Sequence, residues 1–176
     1  MELPALHIGD YLLNAIQPID QAFIFRGLSD PAVIKYYGVS YNSFDATKEQ
    51  MDFYERIWAE KTGVSWKIVL QKTLEPIGVI TGYYYQPRHQ RIEIGFWLLP
   101  AFQGKGILTQ VLPAFIQQLS VLFNLHRIEA QVETANKPCC NVLEKAGFQQ
   151  EGLLRDYELK DGKRVSLFVY SLLLDN

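Results

Sequence analysis

The chain is poor in the residues that staple small folds or hold metals, with two cysteines and three histidines among 176 residues. Cys139 and Cys140 are sequence neighbours. Adjacent cysteines rarely meet disulfide geometry, so no disulfide framework is expected. His7, His89 and His126 are widely separated, and neither a CxxC nor any ligand spacing accompanies them, so no metal is expected. This cysteine usage suits a reducing cytoplasm. No apolar run reaches the roughly 18 residues of a membrane helix. The opening MELPALHIGD has neither the basic nor the apolar stretch of a signal peptide, so none is expected. The net charge is only −2. That argues against a general binder of phosphate backbones, and no direct nucleic-acid or membrane partner is expected.

What is present is an ordinary globular composition, 48% apolar and 20% charged, in a length that suits one domain over residues 1–176. DYLLNAI (10–16) predicts a short strand. Ile19, Ala22, Phe23 and Phe25 suit a helix running to about Leu28, and SDPAVIKYY predicts a second one with Pro31 in its first turn. Met51, Tyr54, Ile57 and Trp58 predict an amphipathic helix ended by Gly63. VSWKIVLQ, PIGVITGYYY and RIEIGFWLL are short, β-branched or aromatic, and separated by the turns KTLEP and QPRHQ. They predict an antiparallel meander. ILTQVLPAFIQQLSVLF carries a helical stripe in which Pro113 predicts a kink or a local adjustment. HRIEAQVET follows as a strand, which makes a β–α–β crossover and requires a parallel pair. NKPCCNVLEKAGF predicts a short helix closed by Gly147, and Asp161–Gly162 predicts the turn of a last hairpin.

Between the third meander strand and the long helix lies PAFQGKGILTQ, with Lys105 between Gly104 and Gly106. Glycine at a helix entrance permits left-handed backbone or a close approach, and the free N–H groups of a first turn favour a phosphate. A nucleoside-triphosphate loop requires GxxxxGK[ST], and a dinucleotide fingerprint requires GxGxxG opening a doubly wound sheet; neither fits.

The string RIEIGFWLLPAFQGKGILTQVL, followed by VETANKPCCNVLEKAGFQQEGLLRD, resembles the GNAT superfamily of acyl-CoA-dependent N-acetyltransferases. Within it the sequence is most similar to the RimJ/RimL-like group, which acetylates N-terminal amines of ribosomal proteins. The resemblance covers roughly Asp10 to Leu174. It implies an α/β fold with a mixed, mostly antiparallel sheet, flanked by helices, whose one parallel strand pair is split around acyl-CoA. It also implies acetyl-CoA as cosubstrate, held by Trp97, Leu98 and Leu99 and by the backbone of Gln103, Gly104, Lys105, Gly106, Ile107 and Leu108. Ala101 stands where the family pattern usually has Gln or Arg.

Asn136 matches the family asparagine that bonds the CoA arm, and it is equally suited to cap the following helix. Cys139 stands where the group usually carries a serine near the CoA sulfur, proposed as general acid; the alternative is a small buried thiol. Glu158 matches a glutamate proposed as base through water. Glu93, between two isoleucines, alternates to the opposite face and is the other candidate base. Tyr36, Tyr37, Phe53 and Tyr83–Tyr85 are candidates for the acceptor cleft or for core. The expected reaction is direct transfer of acetyl to a primary amine, foremost a protein N-terminus. The alternatives are a small-molecule amine acetyltransferase (polyamine, amino acid or aminoglycoside) and a CoA-binding module without catalysis; a homodimer is left open.

Overall fold

A computed structural model describes residues 3–174. Eight strands form one sheet in the order β1-β2-β3-β4-β5-β6-β8-β7. β1 (Leu6–Ile8), β2 (Tyr11–Ala15), β3 (Val64–Leu70), β4 (Pro76–Gln86) and β5 (Arg91–Leu98) pair antiparallel in succession. The long helix α4 (Ile107–Phe123) then returns the chain to β6 (Arg127–Glu133), which lies parallel to β5. The hairpin β7 (Gln149–Lys160) and β8 (Lys163–Leu173) completes the sheet, with β8 inserted next to β6. The mixed sheet with one parallel pair is the expected architecture. β1, three residues long, was too short to show a period of its own.

The sheet separates two apolar layers because its strands alternate. Ile92, Ile94, Ile128 and Ala130 pack on one face with Phe115 and Leu119 of α4 and Leu143 of α5 (Lys137–Lys145). On the other face Val79, Trp97 and Leu99 pack with Phe23, Ile24 and Leu28 of α1 (Gln21–Leu28), Val33 of α2 (Pro31–Ile34) and Tyr54 of α3 (Lys48–Ala59). α4 runs unbroken through Pro113, which is exposed, as is Thr109 one turn earlier. The carbonyl that Pro113 leaves without its N–H therefore faces solvent, which offsets the usual cost.

One expected boundary is corrected. α3 ends at Ala59, and the left-handed residue after it is Lys61, with φ of 55°, not Gly63. Ile57 O accepts from both Thr62 N–H and Gly63 N–H, at 2.9 and 3.0 Å. Gly63 has another reason to lack a side chain: a Cβ there would lie 2.3 Å from the carbonyl oxygen of Gly82 on β4.

Candidate active site

β5 and β6 are paired over three positions only, Arg91↔Arg127, Ile92↔Ile128 and Glu93↔Glu129. Above them β5 stays on β4 as far as Gly78↔Leu98, and β6 stays on β8 as far as Glu133↔Leu167. The two strands therefore part just after Glu93 and Glu129, with no bulge in β5. Leu99 N–H donates to Ile77 O at 2.8 Å. Counting back by alternation, Trp97 turns its main chain to β4 as well, while Ile94, Phe96 and Leu98 turn theirs to the gap. Of the three residues expected at the free edge, only Leu98 faces it. Its carbonyl already accepts from Gln103 Nε2 at 2.9 Å. The side chains of Trp97 and Leu99 are core.

At the end of β5 the chain makes the glycine turn. Gly104 and Gly106 both have φ of 72°, and a Cβ at either would meet nothing within 4 Å. The glycines are there for left-handed backbone, not for a crowded neighbour within this chain. Among the described residues no backbone carbonyl accepts from the N–H groups of Gly104, Lys105, Gly106, Ile107 or Leu108. These free donors lie at the positive end of a 17-residue helix, a fit for a diphosphate. Gln103 stands apart, since its N–H is taken by Pro100 O at 3.2 Å. Lys105 extends its ammonium over the Phe102 ring at 5.5 Å.

The gap opens into a cavity of 1190 Å³ between the sheet, α3 and the β7–β8 hairpin. Glu93, Glu158, Asn136 and Cys139, far apart in sequence, all line it. Glu93 is half-buried and accepts from Tyr83 Oη at 3.0 Å. Burial raises its carboxyl above the ordinary value, Glu129 and Glu158 add to this, and the Tyr83 hydrogen bond and Arg91 oppose it. Glu129, directly across from it, is held instead by Arg91 at 2.6 Å and Arg127 at 2.7 Å. Glu158 is exposed, on the stretch of β7 where the ladder is interrupted between Leu154 and Glu158 and Asp156 has φ of 52°.

Asn136 caps α5: its Oδ1 accepts from Cys139 N–H at 3.3 Å. The capping role is thus present alongside its place in the cavity wall. Cys139 is half-buried, and burial, with Cys140 adjoining, pushes its thiol up to about 12. It is therefore a neutral S–H at working pH, able to donate a weak hydrogen bond and poorly matched to giving up a proton. Cys140 packs in the core.

The aromatic candidates divide. Tyr36, Tyr37, Phe53, Tyr83 and Tyr84 line the cavity, whereas Tyr85 packs on α4 and donates to Phe123 O at 2.6 Å. Sequence reasoning missed Tyr157 and the acidic wall made by Asp45, Glu49, Asp52 and Glu133. Charges on a helix or strand read as a solvated face, and only the packing of α3 over the sheet turns them toward a cavity.

Residues 11–149 match the acetyltransferase (GNAT) domain family. The uncharacterized N-acetyltransferase YoaA of Bacillus subtilis (strain 168) is 31% identical over 170 residues, 96% of each chain. Among solved structures, RimL, a ribosomal L7/L12 α-N-protein acetyltransferase in complex with coenzyme A, superposes with a TM-score of 0.88 at 20% identity, covering 98% of this chain and 99% of that one. The spermidine N-acetyltransferase of Vibrio cholerae, in complex with CoA and spermine, gives 0.83 at 21% identity, covering 93% and 95%.

Proposed function

This chain belongs to the GNAT acetyltransferase family, and on that premise we propose that residues 1–176 form one domain that transfers acetyl from acetyl-CoA to the α-amine of a protein N-terminus. The observation that carries the reading is the parting of β5 and β6 at Glu93, beside a cradle of N–H groups from which no backbone carbonyl accepts among the described residues. The diphosphate of acetyl-CoA fits the main chain from Gly104 to Leu108. Its pantetheine arm fits the gap edge at Ile94, Phe96 and Leu98, with the Asn136 amide in the same wall. The ribosomal acceptor of RimL supports a protein N-terminus here.

An α-amine has a pKa near 8, so the base has only to take a proton from an ammonium that is already partly deprotonated. We assign that role to Glu93 in preference to Glu158, because burial keeps Glu93 more basic than an ordinary carboxylate. The neutral amine attacks the thioester carbonyl and the C–N bond forms; as the C–S bond breaks, the nitrogen sheds its extra proton, which passes to the departing sulfur, so that CoA leaves as the thiol. The Cys139 S–H donates to that sulfur as charge develops. Placement of amine and thioester side by side supplies much of the acceleration.

A second reading, acetylation of a polyamine, is favoured by the wall itself. Asp45, Glu49, Asp52, Glu93, Glu133 and Glu158 line the cavity with Lys48 and Arg56; Lys48 pairs with Asp52 and Lys160 with Glu133, which still leaves an acidic excess, and the Vibrio cholerae structure holds spermine. Release of free thiol from acetyl-CoA, measured with a panel of N-terminal peptides, spermidine and spermine, separates the readings. Peptides are expected to give the highest kcat/KM. Preference for polyamines would replace the first reading with the second. Tight CoA binding without thiol release from any amine would leave a binding module.

A further inference from the structure

Tyr83 and Glu93 are direct cross-strand partners in β4 and β5, and the phenol reaches the carboxylate at 3.0 Å. The ring lies over Gly95, where a Cβ would come within 3.3 Å of Tyr83 Cε1, so the strand leaves it a fixed bed. Tyr84 packs edge-on against it, with ring centroids 4.9 Å apart. Tyr84 has φ of 56°, and the β4–β5 ladder is interrupted between Tyr83 and Gln86. Tyr83 is thus the last regularly paired residue of β4 before a bulge, after which the pairing resumes at Gln86↔Arg91. Glu93 Oε2 has no hydrogen-bond partner among the described residues.

We propose that Tyr83 is a positioning residue for Glu93: its phenol holds Oε1, so that Oε2 is presented to the acceptor amine. The inference rests on the reading of Glu93 as base. Burial raises the Tyr83 phenol far above its ordinary range, with Glu93, Tyr37 and Tyr84 adding to the effect. It therefore stays protonated at any working pH and donates. A donor fixed on one oxygen stabilises the carboxylate form. It opposes the burial, Glu129 and Glu158, which push the carboxyl up, and it acts in the same sense as Arg91. Without it Glu93 would be protonated over a wider range and free to rotate away from the amine.

The test is Tyr83→Phe, read in two ways. The Glu93 carboxyl is titrated by 13C NMR in protein labelled at the glutamate δ-carbon, with Glu93→Gln assigning the resonance, and kcat is followed against pH with the best acceptor. In Tyr83→Phe the Glu93 resonance is expected to titrate at higher pH, the acid limb of kcat to move the same way, and kcat at its plateau to fall about tenfold to a hundredfold. 3-Fluorotyrosine at position 83, a stronger donor of nearly the same shape, is expected to move the titration to lower pH. It supplies the result even if the phenylalanine variant fails to fold. A Glu93 titration that superposes on the wild type in whichever of these proteins folds would overturn the positioning role. Full activity in Glu93→Gln would instead overturn the base reading, with the Tyr83 titration shift still to be seen.

Discussion

Glu93 and Glu129 stand opposite each other at the last paired position of β5 and β6, and of the two only Glu129 forms an ion pair among the described residues. Two carboxylates of the same type on the same face are thereby given different tasks. Glu129, bridged by Arg91 and Arg127, fastens the strands where they are about to part. Glu93, free of a paired cation and half-buried, is left basic.

Glu93→Gln is expected to lower kcat/KM about 100- to 10,000-fold at neutral pH, the usual range for a lost general base. The same variant should be more heat-stable than the wild type at pH 8. A carboxyl whose folded-state pKa is raised holds its proton longer in the folded than in the unfolded chain. Wild-type stability therefore falls as pH rises from the ordinary carboxylate value through the raised one. Below both values the two proteins should melt alike, so melting temperatures at pH 4 and pH 8 read the effect directly.

Cys139 divides catalysis from packing. Cys139→Ser should match or exceed wild-type turnover, since a hydroxyl is the better donor. Cys139→Ala should lose about tenfold with little change in CoA affinity, because the interaction is made as thiolate charge develops and not in the ground state. With the thiol held near 12, turnover in the wild type should show no limb assignable to Cys139 between pH 6 and pH 9. If the alanine variant is less stable and turns over like the wild type, Cys139 is a packing residue.

Substituting valine at both Gly104 and Gly106 should weaken CoA binding more than tenfold while the protein stays folded. The backbone there is left-handed, which costs a β-branched residue roughly 1–2 kcal/mol per position, but an added Cβ would meet no neighbour within 4 Å. Calorimetric titration with CoA and circular dichroism together report the two halves of the expectation.

Gly63→Ala should be damaging, because Gly63 is buried against β4. The added methyl would sit 2.3 Å from a backbone oxygen of β4, and a strand in the middle of a sheet cannot easily move aside. A loss of about 1–3 kcal/mol is expected from urea unfolding, with the slope of the transition unchanged.

At low pH the weak point is Glu151, whose carboxyl is lowered to about 2 by Arg127 and by Ser171. A lowered carboxylate contributes stability above its unfolded value and loses it as pH falls toward the folded one. Glu151→Gln should therefore be less stable than the wild type at pH 6, and the gap should close by about pH 2. The group is exposed, so the difference will be small and salt-sensitive. Melting curves across that range test it.

Much of the molecule was legible in the sequence because its signals are local. Alternation and turn residues mark β3, β4 and β5, the Asp161–Gly162 turn marks the last hairpin, and the glycines mark the entrance of α4. The crossover through α4 then leaves β5 and β6 no choice but to run parallel. What is not local was decided by tertiary structure. Which edge of β5 is free depends on the register with β4, and this moved the exposed main chain from Trp97 and Leu99 to Ile94, Phe96 and Leu98. The different fates of Glu93 and Glu129 depend on Tyr83, Arg91 and Arg127 meeting across strands. The acidic wall exists only because α3, whose outer charges look solvated in one dimension, lies over the opening of the sheet. Periodicity records which way a side chain points from its own element, and the neighbour that it meets there is set by the packing of elements distant in sequence.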